Sequence, residues 1–228
     1  MISAASPSAA SPPTTAVVRR LKPIRRITDS RVDRAVAIVA CLPFVWMTWY
    51  RLAHEGFDLP RIAFAVNFAL LFVTMAARRP PVRVTPRPLY RVTAFVATYW
   101  SFMTLGFMDK GVQLAPVAVT HGLALVSLVI AVGARVSLGR NIGFVPAQRA
   151  IVTSWAYSLV RHPIYAGVFF SYAGIVLRGF TPLNALIMII GVGLFIVKTF
   201  MEEDFLAEDP TYAKYMSRVR YRWIPGIA

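Results

Sequence analysis

Residues 113–134 read QLAPVAVTHGLALVSLVIAVGA, a run with no Asp, Glu, Lys or Arg. As a helix it reaches about 33 Å at 1.5 Å per residue, enough to cross a hydrocarbon core of roughly 30 Å. The run has no period-two alternation, and a lone strand could not satisfy its backbone in lipid, so it reads as a membrane-spanning helix. Working outward, the same reading places apolar helices near 35–52, 60–77, 92–108, 164–177 and 182–200. The run at 164–177 reaches only about 21 Å, which leaves open a tilted hairpin with 182–200 that does not cross fully. The expected fold class is all-α: a polytopic integral membrane protein of about six transmembrane helices. Strands are not expected, because a barrel needs many alternating segments of about ten residues.

Composition agrees. Of the 228 residues, 57% are hydrophobic and 15% charged, with 25 Lys+Arg against 10 Asp+Glu and a net charge of +15. An ordinary soluble domain has about 45–50% apolar and about 25% charged residues. A greasy and basic chain suits a bilayer with anionic headgroups. Its basic residues fall in short clusters between apolar runs, which argues against a nucleic-acid partner. Cys41, the single cysteine, lies inside an apolar run and reads as a small packing residue rather than half of a disulfide. Residues 1–31 form an expected disordered, basic tail. Its cluster Arg19, Arg20, Lys22, Arg25, Arg26 follows a Ser/Pro/Ala stretch and precedes an apolar run long enough to stay in the membrane, so no signal peptide is expected.

Counted over alternate connections, 21 Lys and Arg fall on one side and four (Arg51, Arg61, Lys110, Arg178) on the other. The positive-inside rule then places both termini in the cytoplasm, with the protein in the plasma (inner) membrane. The two largest polar stretches on that side, 135–161 and 201–228, are where chemistry is expected, since lipid-facing helix carries little of it. In the second, Glu202, Glu203, Asp204, Glu208 and Asp209 crowd into eight positions behind an apolar helix. Lys198 lies one turn before Glu202, so a helix-end ion pair would explain part of this cluster. Residues 161–167, RHPIYAG, put Pro163 in a first helical turn. Arg161, His162 and free backbone N–H groups would then converge on one pocket suited to a carboxylate.

These residues resemble a known family. RHPIYAG, preceded by GRNIGFVPAQRAIVTSWAYSLV and followed by KTFMEEDFL and TYAKYMSRVRYRWIPGI, is similar to the isoprenylcysteine carboxyl methyltransferases and their phospholipid methyltransferase relatives. The resemblance covers residues 135–228 and implies an integral membrane enzyme that uses S-adenosylmethionine. It implies a cytoplasmic cofactor pocket of helix ends and C-terminal tail, with a four-helix region at 32–134 and a methyltransferase core at 135–228. Carried over by residue, His162, Pro163, Ile164 and Tyr165 would bind the cofactor's methionine end, with Glu202 facing its ammonium. Tyr157 and Arg149, Ala150, Ile151 and Val152 would line its nucleoside end. Arg161 and Lys198 would orient a lipophilic acceptor, most simply the carboxylate of a prenylated lipid. Arg161 would thereby act in catalysis, and Glu203 would be the candidate base for an amine or phenol acceptor. The family pattern has Arg where Lys198 stands and Gly-Pro where Trp155-Ala156 stands.

Three other readings stand beside it: methylation of a phospholipid or another amine or phenol lipid; an NADPH-dependent membrane reductase, whose sterol-reducing examples share an Arg-His-Pro-like element but are much longer; and a non-catalytic membrane protein or transporter whose basic loops bind anionic lipid. No metal site is expected, because His54, His121 and His162 lie in separate segments. His121, inside the fourth apolar run, reads as a neutral histidine bonded to a neighbouring helix, and His54 as a solvated loop residue. Gly191-Val192-Gly193 lies in an apolar helix and reads as a close-packing site, not a nucleotide loop.

Overall fold

The computed structural model describes residues 30–105 and 111–227. Within them the chain forms α1 (Ser30–Glu55), α2 (Leu59–Ala76), β1 (Arg83–Val84), α3 (Pro88–Leu105), α4 (Val117–Leu138), β2 (Ala147–Gln148), α5 (Ala156–Leu159), α6 (Pro163–Arg178), α7 (Pro182–Leu206) and α8 (Pro210–Arg218). A single 3-10 turn, Gly139–Asn141, follows α4. The expected helices are all present, but their ends move. α4 starts at Val117 because Pro116 takes the cap position. α7 runs past position 200 through the acidic cluster, since Glu continues a helix well, and stops before Asp209-Pro210. The basic tail, Lys110 and the end of the 92–108 segment lie outside the described residues.

Four helices, α1, α2, α4 and α7, are long and apolar enough to cross a membrane. α6 has 16 residues, about 24 Å, and falls short. α3 has the length, but Arg91, three threonines and two tyrosines dilute its apolar character. Two-residue strands pair antiparallel, Arg83 with Gln148 and Val84 with Ala147, where no strand was expected. Elements that short carry no periodicity.

Helix starts are set by short polar caps followed by proline. Asp58 accepts from the Arg61 N–H (2.9 Å), Thr181 from the Asn184 N–H (3.0 Å) and Asp209 from the Thr211 N–H (2.7 Å), each before a proline in the first turn. α1 packs on α2, α2 on α4, α4 on α6, and α3 on α7. The core between α1 and α2 joins Ala37, Cys41 and Phe44 to Phe68, Leu71 and Met75, with Ile142 and Phe144 added from the loop after α4. Cys41 is thus a buried packing residue. A second core of Tyr172, Ile175, Met188 and Phe195 lies between α6 and α7.

Helices α4 and α6 approach closely: the Ser127 hydroxyl donates to the Gly167 carbonyl at 2.8 Å, and a Cβ on Gly167 would stand 3.2 Å from the Ser127 backbone carbonyl oxygen. Gly191 acts similarly, since its Cβ would meet Tyr172 at 2.6 Å and Trp100 at 2.7 Å. Gly193 faces open space. The outer faces expose Val36, Val39, Trp46 and Trp49 on α1 and Leu183, Leu186 and Ile189 on α7, as lipid contact requires. His54 belongs to the last turn of α1, stacked on Tyr50 rather than in a loop. His121 is half-buried and makes no hydrogen bond among the described residues.

Candidate active site

One end of the bundle gathers the loop before α3, the loop between α4 and α6, and everything after α7. The strand pair and the Arg79 N–H, which donates to the Arg140 carbonyl at 2.7 Å, hold the first two together. Arg83 reaches onward to the Phe205 carbonyl (3.1 Å) and Glu208 (2.7 Å). The segment after α8 folds back so that the Arg161 N–H donates to the Tyr221 carbonyl (2.9 Å) and the His162 N–H to the Arg222 carbonyl (2.7 Å). The tail thus holds the backbone of Arg161 and His162 in place at the start of α6.

A cavity of about 250 Å³ opens among these segments. Of the residues singled out from sequence, Arg149, Ala150, Ile151, Val152, Tyr157, Arg161, His162, Ile164, Tyr165, Lys198 and Glu202 line it. Pro163 and Glu203 do not; Pro163 is fully buried in the first turn of α6.

Glu202, the single carboxylate on the cavity wall, accepts the Tyr165 hydroxyl at 2.9 and 2.8 Å. His162 Nδ1 and Lys198 Nζ each stand 3.9 Å from it. The His162 and Tyr165 rings stack at 5.4 Å. Lys198 is 4% exposed, donates to the Thr98 hydroxyl at 3.1 Å and sits 5.3 Å over the Tyr165 ring. At 3.9 Å its pairing with Glu202 is loose, so the ammonium is only partly neutralised.

Behind this wall Glu203 is fully engaged. Arg161 donates to both of its oxygens (2.6 and 3.3 Å), Arg222 to Oε2 at 3.0 Å, and His162 Nε2 lies 3.2 Å from Oε1. Arg161 gives two further donors to the Val219 (2.7 Å) and Arg220 (2.9 Å) carbonyls. Arg161, His162, Glu203 and Arg222 thus form a buried clamp between the start of α6, the end of α7 and the tail.

The loop that carries Tyr157 turns sharply at Trp155, whose φ of 56° is the only positive value among described non-glycine residues. The family's glycine would suit this position; here the indole instead covers Gly133 of α4, where a Cβ would stand 1.9 Å from the ring. The Tyr215 hydroxyl donates to the Tyr157 carbonyl at 2.7 Å, fixing the turn to α8. Burial pushes the phenols of Tyr157, Tyr212 and Tyr215 up, so all three stay neutral. Burial and the nearby Arg78 lower Arg149 to about 10, still cationic at neutral pH, with its Nε donating to the Arg79 carbonyl at 3.0 Å.

The cavity also has walls that the sequence reading missed. Arg135 and Asn67, polar residues inside α4 and α2, line it beside Phe44, Phe68 and Thr98. The available signal was their position: a polar side chain inside an apolar helix is a functional candidate.

The phospholipid methyltransferase family model matches residues 115–214, in keeping with the resemblance carried by the motifs. The match takes in all of α4 and ends within α8, so it includes every lining residue from Arg135 to Tyr212. It supports a membrane methyltransferase that works on lipid substrates. No curated protein matches the chain.

Proposed function

We propose that the chain transfers a methyl group from S-adenosylmethionine to a lipophilic acceptor at the cytoplasmic face of the membrane, with both termini on that face and six helices crossing or entering the bilayer. The observation that carries this reading is the single cavity into which both motif blocks, 161–165 and 198–202, turn their polar side chains. The donor set fits the cofactor. Glu202 offers a carboxylate to its ammonium, with the stacked His162 and Tyr165 beside it, while residues 149–152 and Tyr157 offer a mixed apolar and polar wall to the nucleoside. When bound, the cofactor supplies an electrophilic methyl on a sulfonium. The protein's part is to position the two reactants and exclude water.

Glu203 suits a positioning role better than that of a base, because its oxygens already hold Arg161, Arg222 and His162 behind the wall. Arg161 likewise acts through Glu203 and the tail carbonyls. An anionic acceptor, which needs no base, fits a cavity whose cations Arg135, Arg149 and Lys198 face one carboxylate.

Calorimetry on detergent-solubilised protein tests the cofactor. S-adenosylhomocysteine should bind and NADPH should not. Charge-assisted contacts are worth about 1.5–3 kcal/mol, so Glu202→Ala or His162→Ala should weaken binding about tenfold to a hundredfold. Unchanged affinity in both variants would remove the site assignment. Membranes given methyl-labelled cofactor should carry the label into organic solvent, in a base-labile form if the acceptor is a carboxylate.

A further inference from the structure

Arg135 is 6% exposed and lies six residues from the end of the span Val117–Asn141, about 9 Å inside it. An arginine there ordinarily snorkels outward. Arg135 instead turns inward, where its Nε donates to Asn67 Oδ1 at 3.2 Å, midway along α2. That is its one side-chain hydrogen bond among the described residues, and no carboxylate pairs with it there, so four of its five N–H donors have no protein partner and face the spaces that Arg135 lines. A buried guanidinium in this state is costly unless something anionic completes it. The bound cofactor cannot relieve the imbalance as a whole, since its sulfonium and ammonium outnumber its carboxylate.

Arg135 also stands where two spaces meet. It lines the cavity that holds Glu202 and Lys198, and it lines a narrower, mostly apolar groove of about 90 Å³ between α2, α4 and α6. Along α4 that groove runs from Arg135 to Thr120, about 22 Å, past Ser127 and Ala131.

We propose that Arg135, steadied by Asn67, binds the anionic headgroup of the methyl acceptor, a carboxylate or phosphate, while the acceptor's hydrocarbon chain lies in the α2–α4–α6 groove. The assignment rests on the methyltransferase reading only in calling the ligand the acceptor. It differs from the sequence expectation by placing the anion on Arg135, since Arg161 is occupied by Glu203.

The test measures binding and thermal protection of the full chain in an uncharged detergent with palmitate, hexadecyl phosphate and hexadecanol, and with S-adenosylhomocysteine in parallel. Wild type should bind one or both anions at least tenfold more tightly than hexadecanol; whichever is tighter names the headgroup. Arg135→Gln should lose that preference, Arg135→Lys should keep part of it, and cofactor-product affinity should change less than twofold in both. Octanoate should bind more weakly than palmitate, because it leaves the groove unfilled. Without ligand, Arg135→Gln should melt no lower than wild type, since it removes an unpaired buried charge. Equal binding of palmitate and hexadecanol to wild type would overturn the proposal. So would a preference surviving in Arg135→Gln, a loss of S-adenosylhomocysteine binding in its place, which would give Arg135 to the cofactor's carboxylate, or a marked fall in its ligand-free melting temperature. If wild type binds the anions through Arg135 but not S-adenosylhomocysteine, the methyltransferase reading fails and the anion site stands.

Discussion

The two ends of the helix bundle are built on opposite terms. At the end away from the cavity, short connections are tied tightly to one another. Asp58 caps α2 and also receives Arg178 at 2.5 Å, Val112 and Phe180 exchange backbone hydrogen bonds, and Asn184 donates to the Gly179 carbonyl at 2.6 Å. A hollow of about 10 Å³ lies there beside Arg51 and Arg61, and the narrow α2–α4–α6 groove ends there at Pro60, Thr120 and Arg178. At the other end the connections are long, and their bonds bridge segments far apart in sequence to hold a space open. Both ends are tied by bonds that reach far along the chain, Asp58 to Arg178 across 120 positions and Arg83 to Phe205 across 122, so it is the length of the connections that separates a closed end from a chamber.

The sharpest break of this comparison is sidedness. Cys41 is buried, so a surface cysteine can be read against a silent background. Val82→Cys and Lys214→Cys should react with an impermeant maleimide from one side of sealed vesicles, and Phe57→Cys and Val112→Cys only from the other. Mixed labelling within either pair would end the two-ended description.

The next effect is on stability at the chamber end. Glu203→Gln takes a charge from the clamp and leaves Arg161 buried without its partner, a loss of about 3–5 kcal/mol. It should lower the melting temperature, expose the tail after α7 to protease, and abolish S-adenosylhomocysteine binding. A variant that folds and binds normally but does not turn over would return Glu203 to the role of base.

Asp58→Asn probes the closed end and should act less strongly. Burial alone would raise the Asp58 carboxyl, but the Arg61 N–H and the Arg178 guanidinium outweigh it and hold it below the ordinary value of 3.8. Its contribution is therefore present in full above about pH 4 and fades as pH falls through the folded value. The variant should lose about 1 kcal/mol at neutral pH, the difference should close on acidification, and S-adenosylhomocysteine affinity should not move. A coupled loss of affinity would show that the two ends are not independent.

How far the sequence speaks follows the same division. RHPIYAG and MEEDF announce the cavity because neighbours in sequence make up each wall, whereas the helix behind Asp209-Pro210 is too short and polar for hydropathy to mark. Partners across helices leave no such mark. Nothing near Glu203 names Arg222, and nothing near Asn67 in α2 names Arg135, 68 positions later. Nothing near Arg161 and His162 announces that their backbone N–H groups pair with Tyr221 and Arg222 of the tail. The short reach of 164–177 was legible by length alone, whereas α3, as long as α2, differs by the polar residues within it, Arg91 and its threonines and tyrosines.

The bonds that close the chamber set an order of events. Arg83 meets Phe205 across 122 positions, Arg87 meets Asp204 across 117, and Arg161 meets Val219 across 58, whereas the α1–α2 and α6–α7 pairs are neighbours along the chain. Long loop closures come late. A ribosome will therefore have delivered every membrane helix before the reaction chamber exists, and a lesion in residues 219–223 should yield a protein that inserts, keeps its helical signal and is inert. Inactivity of that kind escapes any screen that counts only correctly inserted chains.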